Sequence, residues 1–186
     1  MTASFQVEED GWSHQDAMPD VPSPEDSAPL IDLINTHGDE GVELWEREWA
    51  SFDLRYVGDN RPEDDPQRAL VPVCQRMWFR ANGELPASPT IHNAAFCYIS
   101  DFSLLGASLL PHGVFIGMPN VQAASLDHVI WFHHPIRTDQ WLLYDQTSPS
   151  ASGARGLSTA RVFSEDGVLV ATVAQEGLIR PVSPRD

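Results

Sequence analysis

From residue 72 onward, apolar positions recur densely along the chain and predict one long helix flanked by strands. Twelve of the seventeen residues from Ala94 to Leu110 are apolar, and the only charged residue among them is Asp101. A segment that is apolar on all sides is typical of a helix buried in a protein core. We therefore predict a buried helix over about residues 90–110, capped by Thr90 and ended by the sequence PHG.

Strand-like segments are predicted on both sides of this helix. Their sequences are SFDLRYV and VCQRMWFRAN before the helix, and VQAASLDHVIWFHH, WLLYDQTSPSASGARGLSTARVFS and VLVATVAQEGLIRPV after it. The fourth segment is too long for one strand, so we expect SPSASG to break or bulge it, and SEDG predicts a hairpin turn before the fifth. One long helix among five or six antiparallel strands packs best when the sheet curls around the helix. The predicted class is therefore α+β with the hotdog arrangement.

The first 50 residues predict little core of their own. ASFQVEED alternates as a short strand would, and GWSHQDAMPDVPSPEDSAP is rich in Pro, Asp and Ser, which indicates an extended linker. A short helix is expected in SAPLIDLINTHG, with Ser27 as its cap, Pro29 in its first turn and Gly38 at its end. We divide the chain into a front segment (1–50), a hotdog domain (51–182) and a tail (183–186), and expect residues 9–26 to be mobile.

Composition excludes several function classes. The net charge is −16, and residues 1–70 contain 18 acidic side chains against 4 arginines. Nucleic acid is a poor partner for such a chain, because phosphate contacts need clustered cations. The chain has no lysine, which removes lysine-based covalent and phosphate chemistry. The N-terminus does not resemble a signal peptide, and no apolar run is expected to reach membrane-spanning length. Cys97 is interpreted as a small core residue.

Asp101 is the first candidate for chemistry. A carboxylate within a buried helix is either held by polar partners or used as a base or water-positioning group in a dry site. Ser125 and Gln175 stand out as polar residues in apolar strands, although each alone is also compatible with an ordinary strand position. His128, His133 and His134 leave a metal site open, but along one strand they would alternate between its faces. No nucleophile elbow G-x-S-x-G is present.

Three blocks of the sequence carry a family resemblance. YISDFSLLGASLLPHG, ASLDHVIWFHHPIRTDQWLLYDQTSPSASGARG and FSEDGVLVATVAQEGLIRP occur in this order. They resemble the C-terminal half of the acyl-CoA thioesterase II family, the TesB-like double-hotdog thioesterases. The resemblance is close over about residues 72–181. It extends weakly through SFQVEEDGWSHQDAMP, which is similar to the last strand of the first hotdog unit and the linker after it.

The resemblance implies a hydrolase that converts fatty acyl-CoA to free fatty acid and CoA. It implies the catalytic residues Asp101, Ser125 and Gln175, which would hold and activate a water molecule, with no metal and no organic cofactor. Arg155 and Arg137 are candidates for the CoA phosphates, or they are ordinary surface charges. The C-terminal sequence SPRD is not a peroxisomal signal, which favours a cytoplasmic enzyme.

The chain departs from the family in one respect, because the family normally has two hotdog units and this sequence shows one with a remnant of the first. We therefore expect a homodimer or a higher oligomer. The alternative is a truncated or non-catalytic acyl-CoA-binding subunit that needs a partner hotdog. A hotdog hydratase is the third possibility, but the D-x-N-P-x-H pattern of that branch is absent after Asp101.

Overall fold

A curved antiparallel sheet wraps one side of a central helix. The computed structural model describes residues 1–7, 9–35, 43, 47, 49–61, 63–64 and 73–182. In chain order, the elements of these residues are β1 (Ala28–Pro29), α1 (Leu30–Asn35), β2 (Phe52–Gly58), β3 (Cys74–Ala81), α2 (Pro89–Ser100), two 3₁₀ segments (Leu104–Ser108 and Leu110–His112), β4 (Val121–Ser125), β5 (Val129–Phe132), β6 (Leu142–Ser152), β7 (Arg155–Ser164) and β8 (Leu169–Pro181). The strand order is β1-β2-β3-β6-β7-β8-β4, and β5 also pairs with β8.

The strands agree closely with the sequence pattern. Four of the five predicted segments contain β2, β3, the β6–β7 hairpin and β8, and SEDG forms the turn before β8. The hairpin turns at Gly153 and Ala154, both with positive φ, and its register shifts between Thr147 and Ser150, within the stretch expected to break it. The remaining segment forms two strands, β4 and β5, rather than one.

The helix is shorter and more exposed than predicted. It begins at Pro89 after Ser88, so Thr90 is not its cap. It ends at Ser100 with Asp101 as its C-terminal cap, and the chain continues as 3₁₀ turns. Its buried residues form one stripe, namely His92, Phe96, Ile99 and Ser100. Cys97 and the opposite face are exposed, so the expectation of a helix buried on all sides is wrong for the single chain. The sheet covers only one face of α2.

The core lies between α2 and the concave face of the sheet. Phe96 is fully buried, stacks on Phe79 at a ring-centroid distance of 6.1 Å and meets the edge of Phe132 at 5.8 Å. Tyr144 packs edge-on against Phe79 and donates a hydrogen bond to the Ser100 carbonyl at 2.7 Å. Burial raises the pKa of the Tyr144 hydroxyl well above its usual value. These contacts fix the C-terminal end of α2 over β6.

The front of the chain packs on the convex face of the sheet. Residues 9–23 have no regular structure, but Gln15 hydrogen-bonds to the backbone of Gly167 and Leu169. Trp78 donates its indole N–H to the Pro22 carbonyl at 2.9 Å. The predicted strand in ASFQVEED is absent from its described residues, and the Ser27 hydroxyl donates to the Ser23 carbonyl instead of capping α1. Gly38 and the tail 183–186 lie outside the described residues.

The stretch Pro89–His112 is long and apolar enough to cross a membrane by length and composition, with a mean hydropathy of 1.3. The prediction that no run reaches this length is therefore wrong. Half of the most apolar window is buried inside the protein. A core helix meets the same criterion, so the observation is weak evidence for a membrane span.

Candidate active site

Asp101 lies at the C-terminal cap of α2, where the chain leaves the helix. Its backbone has φ −81° and ψ −15°, and its N–H donates a hydrogen bond to the Ile99 carbonyl. The side chain is exposed, so the prediction of a carboxylate buried within a helix is wrong for the single chain. The C-terminal end of a helix has negative partial charge and disfavours a carboxylate. Asp101 is therefore unfavourable for the helix itself and needs stabilisation from other elements.

Ser125 is the last residue of β4, and a β-bulge follows it. The N–H groups of Leu126 and Asp127 both bond to the Glu176 carbonyl, at 2.9 and 3.3 Å. The Asp127 carboxylate in turn accepts the Glu176 N–H at 2.7 Å. Bulges re-aim side chains and are common beside active sites. Ser125 itself pairs with Gly177 of β8, and its side chain is exposed.

Gln175 reaches the same place from inside the sheet. It lies on β8 opposite the bulge, and its side chain is fully buried. Its Nε2 donates hydrogen bonds to Ser125 Oγ at 2.9 Å and to Asp101 Oδ1. The buried glutamine thus supplies a hydrogen-bond donor to two exposed oxygen atoms.

The three predicted residues therefore form one hydrogen-bonded cluster. Ser125 Oγ donates to Asp101 Oδ1 at 3.2 Å, which closes a triangle with Gln175 Nε2. Both donors bind Oδ1, and no described residue donates a hydrogen bond to Oδ2. One carboxylate oxygen is consequently fixed and the other is left to accept a proton. The separation along the chain is 24 residues to Ser125 and 74 to Gln175.

His128 adjoins this cluster, and sequence reasoning gave it no role there. Its Nε2 lies 2.8 Å from Ser100 Oγ, which donates to the Cys97 carbonyl at 3.2 Å. His128 Nε2 and the Cys97 carbonyl are thus the two polar partners of the Ser100 hydroxyl. Burial lowers the pKa of His128, against the opposing charges of Asp101 and Asp127. Its position three residues after Ser125 is the signal that could have indicated it.

The three histidines do not form a metal site with neighbouring ligands. His133 Nε2 lies 2.8 Å from Thr172 Oγ1 on the neighbouring strand. Among the described residues, no group of three or more His, Cys, Asp or Glu side chains could hold a metal ion.

The two candidate arginines lie at different distances from the cluster. Arg155 is half exposed, pairs with Glu176 at 3.4 Å and lines a cleft of about 350 Å³ together with Arg180 and His112. Gly156 on β7, Gly177 on β8 and Ser125 on β4 are paired across the sheet, and Arg155 is the neighbour of Gly156. Its Cα atom therefore lies about 10–11 Å from the Cα atom of Ser125.

Arg137 lies toward the opposite end of the sheet. It lines another cleft together with Val170. Val170 lies five residues from Gln175 on β8, which is about 17 Å along the strand. It forms a two-point ion pair with Asp139, which holds the pKa of that carboxyl at about 2. Sequence reasoning missed Arg180 and His112, because only the folded sheet brings them beside Arg155.

Comparison with known proteins gives a consistent family assignment. The sequence profile described as acyl-CoA thioesterase matches residues 54–178. The chain belongs to the acyl-CoA thioesterase family. It is 37% identical over 183 residues to acyl-CoA thioesterase 2 of Haemophilus influenzae, covering 97% of this chain and 63% of that protein. It is 40% identical over 187 residues to acyl-coenzyme A thioesterase 8 of Mus musculus, covering 96% and 58%.

Solved structures support the family and the fold. The acyl-CoA thioesterase II TesB2 of Mycobacterium marinum superposes with a TM-score of 0.76 at 38% identity, covering 97% of this chain and 62% of that one. A hot-dog-fold protein of Alicyclobacillus acidocaldarius has a TM-score of 0.63 at 19% identity, covering 96% and 61%, and shows the fold alone. The α+β hotdog prediction and the acyl-CoA thioesterase II resemblance are confirmed. This acyl-CoA thioesterase family member spans about three-fifths of the length of these relatives.

Proposed function

We propose that the chain hydrolyses fatty acyl-CoA to free fatty acid and CoA. The observation that carries this proposal is the Gln175 amide, which donates to both Asp101 Oδ1 and Ser125 Oγ. A thioester carbonyl is electrophilic enough for attack by water without a covalent enzyme intermediate. The protein then has to place one water molecule and accept its proton, and a positioned base contributes about 10²–10⁴-fold.

Each member of the cluster has one task in this mechanism. Asp101 accepts the proton of the attacking water at Oδ2, and the Ser125 hydroxyl oxygen keeps a lone pair that orients this water. Gln175 Nε2 holds Asp101 Oδ1 and Ser125 Oγ in place. The water oxygen bonds to the carbonyl carbon and gives a tetrahedral intermediate. Collapse of that intermediate breaks the carbon–sulfur bond, and the CoA sulfur receives the proton that Asp101 took from the water, so the thiol leaves and the carboxylate is regenerated. No metal or organic cofactor takes part.

Asp101→Asn is the sharpest test of this proposal. The amide keeps the shape of the side chain and cannot accept the proton. We expect the rate of CoA release from acyl-CoA to fall by about 100-fold or more with the fold unchanged. The matched control is Asp127→Asn, because that carboxylate lies nearby and, among the described residues, accepts a hydrogen bond from the Glu176 N–H alone. Turnover at the wild-type rate in Asp101→Asn would remove Asp101 from the mechanism.

Arg155 is our proposed contact for the CoA phosphates, assisted by Arg180 across the same cleft. Neutralising one phosphate contact should weaken substrate binding and leave the chemical step intact. We expect Arg155→Ala to raise KM for acyl-CoA, with kcat unchanged. Arg137→Ala tests the more distant candidate, and a larger rise in KM for that variant would reverse the assignment.

We further propose that a second hotdog unit covers the site, most simply in a two-fold dimer. Asp101 and Ser125 are exposed in the single chain. The electrostatic interactions of an active site become stronger when bulk water is excluded from it. Large apolar side chains are exposed nearby on β5 and the loop before it, namely Leu126 (57%), Trp131 (51%) and Phe132 (42%). Exposed apolar surface of this kind marks interaction sites. If a different hotdog chain fills this position, the chain is the binding subunit of the alternative hypothesis.

Sedimentation across a salt series tests the dimer. Two acidic front segments would be brought into one particle, so their repulsion should weaken pairing at low salt and screening should strengthen it. A monomer at every salt concentration would reject the homodimer and favour a chain that needs a different partner. The cytoplasmic location stays a prediction.

A further inference from the structure

Three buried polar atoms on neighbouring strands lack hydrogen-bond partners among the described residues. They are Gln146 Nε2 on β6, Ser158 Oγ on β7 and Gln175 Oε1 on β8. All three side chains are fully buried. We call these three residues the inner polar row. Buried polar groups are almost always hydrogen-bonded, so three such atoms in adjacent strands require an explanation.

Sheet register places the row on one face, beneath the turn that carries Asp101. Ser158 pairs directly with Gln175, and Gln146 pairs with Ala160, two residues from Ser158 on the same face. Directly opposed side chains have Cβ atoms about 5 Å apart, and diagonal neighbours about 7–8 Å. The two glutamines therefore lie on either side of Ser158, with Cβ separations that a glutamine side chain and one water can together bridge.

Each glutamine amide is hydrogen-bonded to the turn at one end, and for Gln175 the acceptor-only carboxylate of Asp101 defines the orientation of the amide. Ser103 Oγ donates to Gln146 Oε1 at 3.0 Å, which leaves Gln146 Nε2 as a donor. The Asp101 carboxylate accepts from Gln175 Nε2, which leaves Gln175 Oε1 as an acceptor. A flipped Gln175 amide would aim oxygen at oxygen. The turn 101–103 thus lies on two glutamines that flank Ser158.

The polarity along the row is complementary from end to end. A donor stands at Gln146, an acceptor stands at Gln175, and the hydroxyl of Ser158 between them can both accept and donate. An internal water needs two to four polar partners, and the row supplies three.

We propose that Gln146 and Ser158 are positioning residues that hold the Gln175 amide, through one internal water, in the orientation that aims Nε2 at Asp101 and Ser125. The catalytic consequence rests on the proposed hydrolase function, whereas the water and the amide orientation do not. With the row intact, Gln175 has one rotamer and one amide orientation. Without it, the amide can rotate and Asp101 Oδ1 loses a fixed donor.

The first test follows the NMR signals of the Gln175 side-chain amide. These signals are assigned by their absence from the spectrum of Gln175→Leu. In Ser158→Ala and in Gln146→Met, we expect its two protons to exchange with solvent faster than in the wild type. The matched control is Ser148→Ala, because the buried Ser148 hydroxyl already donates to the Leu157 carbonyl at 2.7 Å. Unchanged exchange in both row variants would overturn the proposal. Ser158→Ala decides the matter alone if Gln146→Met does not fold.

The second test is a crystal structure of the chain at a resolution that shows ordered water. We expect a water within hydrogen-bond distance of both Ser158 Oγ and Gln175 Oε1. Direct contact of these two atoms with other protein groups, without water, would overturn the bridging element.

Kinetics supply the third measurement. A small misplacement can cost up to about 100-fold in rate, and we expect Ser158→Ala to lower kcat about tenfold with KM unchanged. Loss of stability with an unchanged kcat would indicate a structural role only. If the wild-type chain does not release CoA, the proposed hydrolase function fails, and the NMR and crystallographic measurements still decide whether the row holds Gln175.

Discussion

The two halves of the concave sheet face differ in chemistry, although the same three strands build both. In one half, Tyr144, Val162 and Val173 belong to the same hydrophobic core as Phe96. The inner polar row forms the other half. Its glutamines lie two residues beyond Tyr144 on β6 and two residues beyond Val173 on β8. The apolar half therefore supplies stability, and the polar half supplies a site at some cost in stability. Variants of each half should separate these contributions.

Phe96→Ala should give the largest effect on stability. The side chain is fully buried and contacts two aromatic rings. Removing a buried phenylalanine typically costs about 3–5 kcal/mol of unfolding free energy. Urea unfolding measures the loss, and Phe5→Ala is the control because Phe5 is 92% exposed. A loss no larger than that of the control would contradict the assignment of the core.

Gly177→Ala should disturb the outer end of the polar half, two residues beyond Gln175 on β8. A Cβ atom at this position would lie 2.4 Å from Leu105 Cδ1 and 3.1 Å from the Ala124 carbonyl oxygen. Overpacking of this kind costs about 1–3 kcal/mol and displaces backbone. We expect lower stability and also slower CoA release, because Ser125 pairs with Gly177.

The control for this variant is Gly11→Ala, since nothing lies within 4 Å of the added methyl group. Equal unfolding midpoints for the two variants would show that the 3₁₀ segment with Leu105 moves away without loss of stability. The close contact between Leu105 and Gly177 would then not be required for folding.

The sequence predicted the apolar half well and the geometry of the polar half poorly. Alternating apolar positions located β2, β3 and β8, because side-chain burial determines strand pattern. The end of α2 at Asp101 was missed, since FSLLG continues an apolar pattern through the break. The break depends on tertiary contacts from Gln146 and Gln175, which are 43 and 74 residues away from their partners in the turn.

The catalytic assignment came from a family resemblance rather than from pattern. Nothing in the local sequence distinguishes Gln175 from an ordinary strand glutamine. Only the fold shows that Asp101, Ser125 and Gln175 meet, and that His128 touches the residue before Asp101. The exposure of α2 could not be predicted either, because the pattern does not specify what covers its second face.

Gln175→Leu should affect activity more than stability, which sharpens the comparison. Asp101 and Ser125 are exposed and regain hydrogen bonds to water when the amide is lost. The buried Ser158 hydroxyl loses its bridged partner, so we expect a loss of about 1–3 kcal/mol, which is smaller than that of Phe96→Ala. CoA release should fall at least about tenfold, because the base loses a fixed donor. A loss of stability comparable to that of Phe96→Ala would mean that the polar half is structural.

The smallest expected effect is a pH dependence of stability that arises at the polar half. Burial lowers the pKa of His128 below its usual 6.5 in the folded state, despite the nearby charges of Asp101 and Asp127. The unfolded chain then binds the proton more readily, so stability is complete above about pH 6.5 and falls as the pH drops toward the folded pKa. Burial also lowers the pKa of His133, which directly follows β5, whereas His128 directly precedes it.

Urea unfolding at about pH 7.5 and about pH 5.5 measures this loss. We expect His128→Asn to lose less stability between these two pH values than the wild type does, since it has no ring to protonate. His133→Asn, measured in parallel, separates the share of the second histidine. An identical pH dependence in His128→Asn and the wild type would place the titration elsewhere, and the polar half would then be insensitive to protonation beside Asp101.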